Sequence, residues 1–251
     1  MKQAVAFELS GETAFFKKPD VNANVYFTYS HIPRIALLGL LGAISGYGGY
    51  IQQSQSIADE GETEHNRYPE FYQKLHSLRI SIVPQGKRGY FPRKIQVFNN
   101  GVGYASKEEG NNLIIKEQWL EKPHWTIYIE NDQSEVYQKL EDLLCNRQAV
   151  FMPYLGKNDH PARIEQPRKV RLDEIERDMI VHSLVRAVDV EFGGFKRGIQ
   201  PFYYRERLPS GLDPKLNGYD FTEWIHTNRT VTNLVAKETF YRTEERCIAF
   251  Y

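Results

Sequence analysis

The sequence carries no net charge: 32 lysines and arginines balance 32 aspartates and glutamates over 251 residues. No global field therefore draws the chain to a polyanion, and any contact with nucleic acid must come from local segregation of charge. Cysteine is scarce too. Cys145 and Cys247 stand far apart, with no CxxC and no Cys/His cluster, which argues against a disulfide framework or a structural zinc site and fits a reducing, cytoplasmic interior. Long hydrophobic runs are missing. The first residues, MKQAVAFELSGE, offer only AVAF as an apolar stretch, too short for a secretory signal. The uncharged segment 35–51 contains five glycines and falls short of the ~20 apolar residues of a membrane span, so it is expected to be a buried helix followed by a loop. There is no internal repeat and no low-complexity linker.

Catalytic signatures are equally sparse. The seven histidines include no HExxH, and no GxSxG nucleophile turn is present. GLLGAISGYGG at 39–49 matches neither GxGxxG nor GxxxxGK[ST] and follows a helix, where a phosphate loop precedes one. No metal and no cofactor is expected. Metal-independent cleavage of RNA leaves no strong linear motif, so Tyr47, Tyr50, His31 or His160 could serve as general acid or base, although packing or surface roles suit each of them as well.

What the chain does have is large apolar surface. Hydrophobic residues make up 41% of it, with 16 Tyr, 14 Phe and 3 Trp, which excludes disorder. KQAVAFEL at 2–9 reads as a strand ended by Gly11, and 15–29 as an irregular connection with exposed lysines. Ser30 is placed to cap a helix entering through Pro33 and continuing IALLGLLGAI, apolar all round and therefore buried. The polar stretch 52–76 carries one helix near 68–76. LRISIVP (78–84), KIQVF (94–98), NLIIK (112–116) and WTIYIE (125–130) read as strands of one shared sheet. Ser134 starts a second helix with Val136, Leu140, Leu143 and Leu144 on one face, ending near Asn146, and AVFMPYLG (149–156) follows as a strand. VEF (190–192), TVTNLVA (230–236) and CIAF (247–250) suggest further strands. This order predicts an α+β fold of the split β-α-β kind, an antiparallel sheet with two helices on one face.

Positive charge gathers in three places despite the neutral total: FFKKP (15–19), PQGKRGYFPRK (84–94) and the run from Lys157 to Arg171. Each mixes cations with aromatics or glycine. Cations can neutralise phosphates while Tyr and Phe faces stack on unpaired bases, a composition that suits a single-stranded RNA path; solvated loops balanced by acidic neighbours are the bland alternative.

FELSGETAFFKKPDVNANVYFTYSHIPRIALLGLLGAISGYGGY (7–50) resembles the N-terminal signature of the Cas-five family of CRISPR-associated Cascade subunits, within the RAMP superfamily. The parts fall in order: a first strand closed by Gly11, the A-F-F-K element at 14–17, Asn22 and Asn24, Thr28, Tyr29, Pro33, and the Gly-Leu-Leu-Gly-Ala-Ile helix running to Gly46. FMPYLGKNDHPA (151–162) resembles the family's second signature. The resemblance implies a single ferredoxin-like, RRM-like RAMP domain over 1–251, a thumb-like β-hairpin inserted at roughly 84–120, and a β-rich C-terminal extension over 158–251. It also implies a subunit that caps the 5′ handle of the crRNA and docks on a Cas-seven-type backbone subunit and a Cas-eight-type large subunit, meeting target DNA through the assembled complex. One subfamily cuts precursor crRNA with a Tyr and a Lys-His pair. Here Lys116 is followed by Glu117, which favours a non-catalytic, type I-B-like subunit; the metal-independent endoribonuclease is the alternative. A purely structural partner without RNA contact is the third. The expected handle contacts are Lys17, Lys18, Asn22, Arg34, Arg88, Arg93, Lys94, Lys157 and Arg168, with Tyr29, Tyr47 and Tyr90 meeting bases.

Overall fold

The computed structural model describes residues 2–20, 24–100, 113–175, 179–213, 217–244 and 246–251. It is a mixed α/β molecule dominated by antiparallel sheets. The main sheet has six strands: β1 (Lys2–Ser10), β3 (Ile80–Pro84), β6 (His124–Glu130), β7 (Arg163–Glu174), β13 (Phe240–Thr243) and β14 (Arg246–Ala249), in the order β14-β13-β7-β1-β6-β3. Helix α1 (Arg34–Ser45) connects β1 to β3, and α4 (Glu135–Cys145) connects β6 to β7.

Strand alternation explains how β1 is buried on both sides. Val5, Phe7 and Leu9 enter a core with Ile127 and Ile129 of β6, Leu37, Leu38 and Leu41 of α1, and Leu140 and Leu144 of α4. Ala4 and Ala6 point the other way, into a smaller cluster with Tyr128, Tyr241, Ile248 and Phe250. Ser134 caps α4, its hydroxyl accepting from the Tyr137 amide at 3.1 Å. α1 has no such cap. It starts after Pro33, while the Ser30 expected to cap it uses its hydroxyl elsewhere. Gly42 lets α3 (Glu70–Leu75) press close, since a Cβ there would lie 2.5 Å from the Phe71 Cβ. Gly46 ends α1 in the left-handed region at φ 80°.

Several expectations are corrected. The segment after Gly49 is a helix, α2 (Tyr50–Glu60), not a loop. The four central strands do not share one sheet: β4 (Arg93–Asn100) and β5 (Leu113–Glu121) form a hairpin that, with β2 (Thr13–Ala14), makes a separate sheet ordered β2-β5-β4. β4 and β5 pair antiparallel within the 84–120 stretch, and residues 101–112 between them lie outside the described residues. AVFMPYLG is irregular, with Val150, Phe151 and Met152 exposed, and the fourth strand beside β1 is the charged β7. Downstream lie β8 (Val185–Arg186), β9 (Val190–Phe195), β10 (Tyr203–Leu212), β11 (Tyr219–Thr227) and β12 (Arg229–Leu234), which pair as β10-β11-β8 and β12-β9. Both cysteines are free. Among the described residues no single helix is long and apolar enough to cross a membrane.

Candidate nucleic-acid interface

The basic-aromatic stretch after β3 forms one wall of a cleft of about 460 Å³. Lys87–Gly89 make a tight turn in which Arg88 and Gly89 both have positive φ, 55° and 68°. The turn sits directly on an imidazole: a Cβ on Gly89 would lie 2.1 Å from Nδ1 of His226, so only glycine fits. Phe91 anchors the far end of the turn, its buried ring edge-on to Trp125 at 5.0 Å and to His31 at 5.6 Å. Arg93 then donates to the Ser30 hydroxyl.

The second wall is Phe202–Tyr204, entering β10. Its placement is fixed by a polar clamp at the end of β11. The Phe202 amide donates to Oδ1 of Asn228 at 3.0 Å, the Thr227 hydroxyl donates to the Phe202 carbonyl at 2.7 Å, and the Asn228 amide nitrogen donates to the Gln200 carbonyl at 2.9 Å. Tyr204 packs on His31 at 4.6 Å and donates its hydroxyl to Glu206 at 2.6 Å. Below the cleft the His31 and His226 rings lie perpendicular to one another, 6.4 Å apart. Burial pushes both well below the usual imidazole range, His226 to about 4, so the floor under the cationic turn is neutral at physiological pH.

Glu206 joins the walls. It accepts from the Ser30 amide at 3.0 Å and from Tyr204, and it pairs with Lys18. Burial alone would raise its carboxyl, but the bonds from Lys18, Tyr204 and Ser30 outweigh it and hold the group below 4.5. A depressed folded-state value stabilises the protein above the unfolded value and loses that contribution as the pH falls through the folded one. In thermal melts, the Tm difference between wild type and Glu206→Gln is therefore expected to be flat above about pH 5 and to shrink below 4.5. A difference unchanged down to about pH 3 would remove Glu206 from this role.

At the mouth of the cleft Lys87 and Arg88 are exposed and have no ion-pair partner among the described residues. Tyr90 and Tyr203 also line it, 60% and 48% exposed. Three expected contacts, Arg88, Tyr90 and Arg93, thus come together, and Lys18 reaches the same place through Glu206.

The other expected contacts are elsewhere. Lys17 lies over the Tyr26 ring at 3.8 Å, and Lys94 over Trp119 at 5.7 Å. Lys157 is held by the buried Glu117 at 3.2 Å, with the Phe15 and Phe98 rings 5.7 and 5.6 Å away. Arg168 pairs with Glu244 and Glu8 across the main sheet. Arg34 is a partly buried clamp whose guanidinium is spent on the carbonyls of His76, Leu78, Ser210 and Tyr251 and not held out as a phosphate ligand. Tyr29 is buried, with its hydroxyl pushed up to about 12 by burial and then by Asp20 and Glu206, so its ring offers no face for a base. Tyr47 is half-buried under Lys139 at 4.7 Å. Asn22 lies outside the described residues.

The residues considered for acid-base work do not converge. His31 is sealed under the cleft, His160 is buried against Trp119 with Nδ1 2.6 Å from the Thr13 hydroxyl, and Tyr50 packs on Phe71. Among the described residues no three His, Cys, Asp or Glu side chains are grouped to hold a metal ion. Sequence reasoning missed Phe202, Tyr203, Tyr204, Glu206 and Asn228. The signal was in PFYYRER (201–207), which interleaves rings and cations as 84–94 does.

No family model matches the chain, and no curated protein matches it either. Solved structures do. A chain of a structure described as "CRISPR RNA-guided surveillance complex" aligns over 91% of this chain and 90% of its own, with a TM-score of 0.51 and 10% identity. A CRISPR protein from Archaeoglobus fulgidus aligns over 98% and 97% with a TM-score of 0.49 and 10% identity. A chain of the type III-B Cmr-beta complex bound to cognate target RNA covers 92% and 86%, at 0.42 and 13%. What the first of these shares with the present chain is the fold, over nearly the full length of both.

Proposed function

We propose that this chain is a non-catalytic RNA-binding subunit of a type I CRISPR surveillance complex that grips the 5′ handle of the guide RNA. The observation that carries the reading is the cleft in which Lys87 and Arg88, without an ion-pair partner among the described residues, stand beside exposed Tyr90 and Tyr203, because cations plus ring faces are what a single strand offers contacts to. Three further features support it. The order β7-β1-β6-β3, with α1 and α4 in the connections, supports reading the main sheet as a split β-α-β arrangement of the ferredoxin-like kind. The antiparallel β4–β5 pair exposes Ile95, Val97 and Ile114 and is assigned to the thumb-like insertion. The fold is shared with a chain of an RNA-guided surveillance complex.

Docking on the Cas-seven-type backbone and Cas-eight-type large subunits is assigned to exposed apolar surface, of which Val150–Met152 and the hairpin are the clearest parts. A catalytic role is not assigned, since the histidines nearest the cleft are enclosed and neutral. The test is ultraviolet crosslinking of the assembled complex carrying a guide labelled at its 5′ end. Crosslinked peptides from 87–93 and 202–204 are expected. A protected 5′ end that crosslinks only to other subunits would refute the assignment.

A further inference from the structure

The cleft has the volume for one nucleotide and not for a duplex or a folded segment, falling near the lower part of the ~300–1,000 Å³ range of small-ligand pockets. Its two walls come from segments more than a hundred residues apart, and both are fixed from behind. Gly89 rests on His226, Phe91 is locked among Trp125 and His31, and Asn228 and Thr227 clamp Phe202. The chain neighbours of Tyr90 and Tyr203 are thus held in place, so the backbone presents both exposed rings at the cleft from fixed positions. Charge is arranged differently from shape: Lys87 and Arg88 are at the exposed turn, whereas Arg93 is tied to Ser30 within the cleft.

We infer that the cleft is a single-nucleotide pocket in which one unpaired RNA base is extruded against Tyr90 and Tyr203, its flanking phosphates lie at Lys87 and Arg88, and Ser30 with Arg93 meets the base edge. This rests on the RNA-binding reading above and narrows it: one position of the bound strand is held by rings, while its neighbours are held through phosphates alone. Stacking tolerates any base, so discrimination at that position comes from the Ser30 hydroxyl and the Arg93 guanidinium.

The test uses the full chain and the cognate CRISPR repeat RNA, carrying 2-aminopurine at one position at a time. Fluorescence is quenched by stacking, so one position is expected to dim on binding and its neighbours to stay bright. Tyr90→Ala and Tyr203→Ala abolish the dimming at that position and weaken binding by about tenfold, while Tyr90→Phe and Tyr203→Phe retain it. Both side chains are exposed, so neither change threatens folding. If RNA binds normally but no position dims, or the dimming survives both alanine variants, the pocket is wrong and RNA binding elsewhere on the chain stands. If the chain and its assembled complex retain no RNA, the broader reading falls with it.

Discussion

Replacing Arg34 by methionine is expected to cost about 3 kcal/mol or more of unfolding free energy, a large share of the margin of an ordinary domain. The first residue of α1 is tied by its guanidinium to three other parts of the chain. Nη2 donates to the His76 and Leu78 carbonyls at 2.6 and 2.9 Å, Nη1 to Ser210 in β10 at 3.5 Å, and Nε to Tyr251 at 3.4 Å. Tyr251 keeps a partner without the arginine, because its carbonyl also accepts from the Ile80 amide at 3.0 Å. The exposed His76 carbonyl can turn to water, but the part-buried carbonyls of Leu78 and Ser210 lose their donor, each at a cost on the order of 1–3 kcal/mol. Arg34→Lys preserves charge and much of the volume but cannot fork to several carbonyls, so it recovers only part of the loss. Urea unfolding of the three proteins measures this. A methionine variant within about 0.5 kcal/mol of wild type would show the clamp to be idle.

Arg34 also marks where reading the sequence stops working. An arginine beside a helix start in a neutral chain looks like a phosphate ligand, and no local pattern distinguishes it from an internal clamp whose acceptors lie at 76–78, 210 and 251. The same holds for Lys157, whose partner Glu117 is forty residues away. Elements with a strong period were legible. β1, α1, β6 and α4 fell where alternation, an all-apolar run or a capped amphipathic face placed them.

Elements whose burial is sparse were not legible. α2 buries only Gln53, so its sequence reads as a polar loop. β7, RIEQPRKVRLDE, fully buries only Val170 and Leu172 and reads as a charged run, although it is the neighbour of β1. AVFMPYLG misled in the other direction: Val150, Phe151, Met152 and Tyr154 are exposed, only Leu155 of its large apolar side chains enters the core, and Pro153 interrupts it. The candidate site was half visible. The 84–94 loop announced itself by composition, but the second wall is set by Asn228, whose side-chain amide bonds the backbone of Gln200 and Phe202 more than twenty residues away.

The largest functional effect is expected from Lys87→Glu combined with Arg88→Glu. Both side chains are exposed and neither has an ion pair among the described residues, so the substitutions leave the fold's internal bonds intact. This separates them from Lys18, Lys157 and Arg168, where reversal would break pairs with Glu206, Glu117 or Glu244 and confuse folding with binding. Each phosphate contact to a single strand contributes about 0.7 to the slope of log affinity against log salt, so losing two lowers it by about 1.4. Reversal adds repulsion, and affinity at low salt falls by at least about tenfold. The salt dependence of guide RNA binding by wild type and this double variant is therefore the most direct measurement of whether the cleft holds RNA. A slope reduced by about 1.4 with an unchanged melting temperature is predicted. Equal slopes and equal affinities for the two proteins would contradict it.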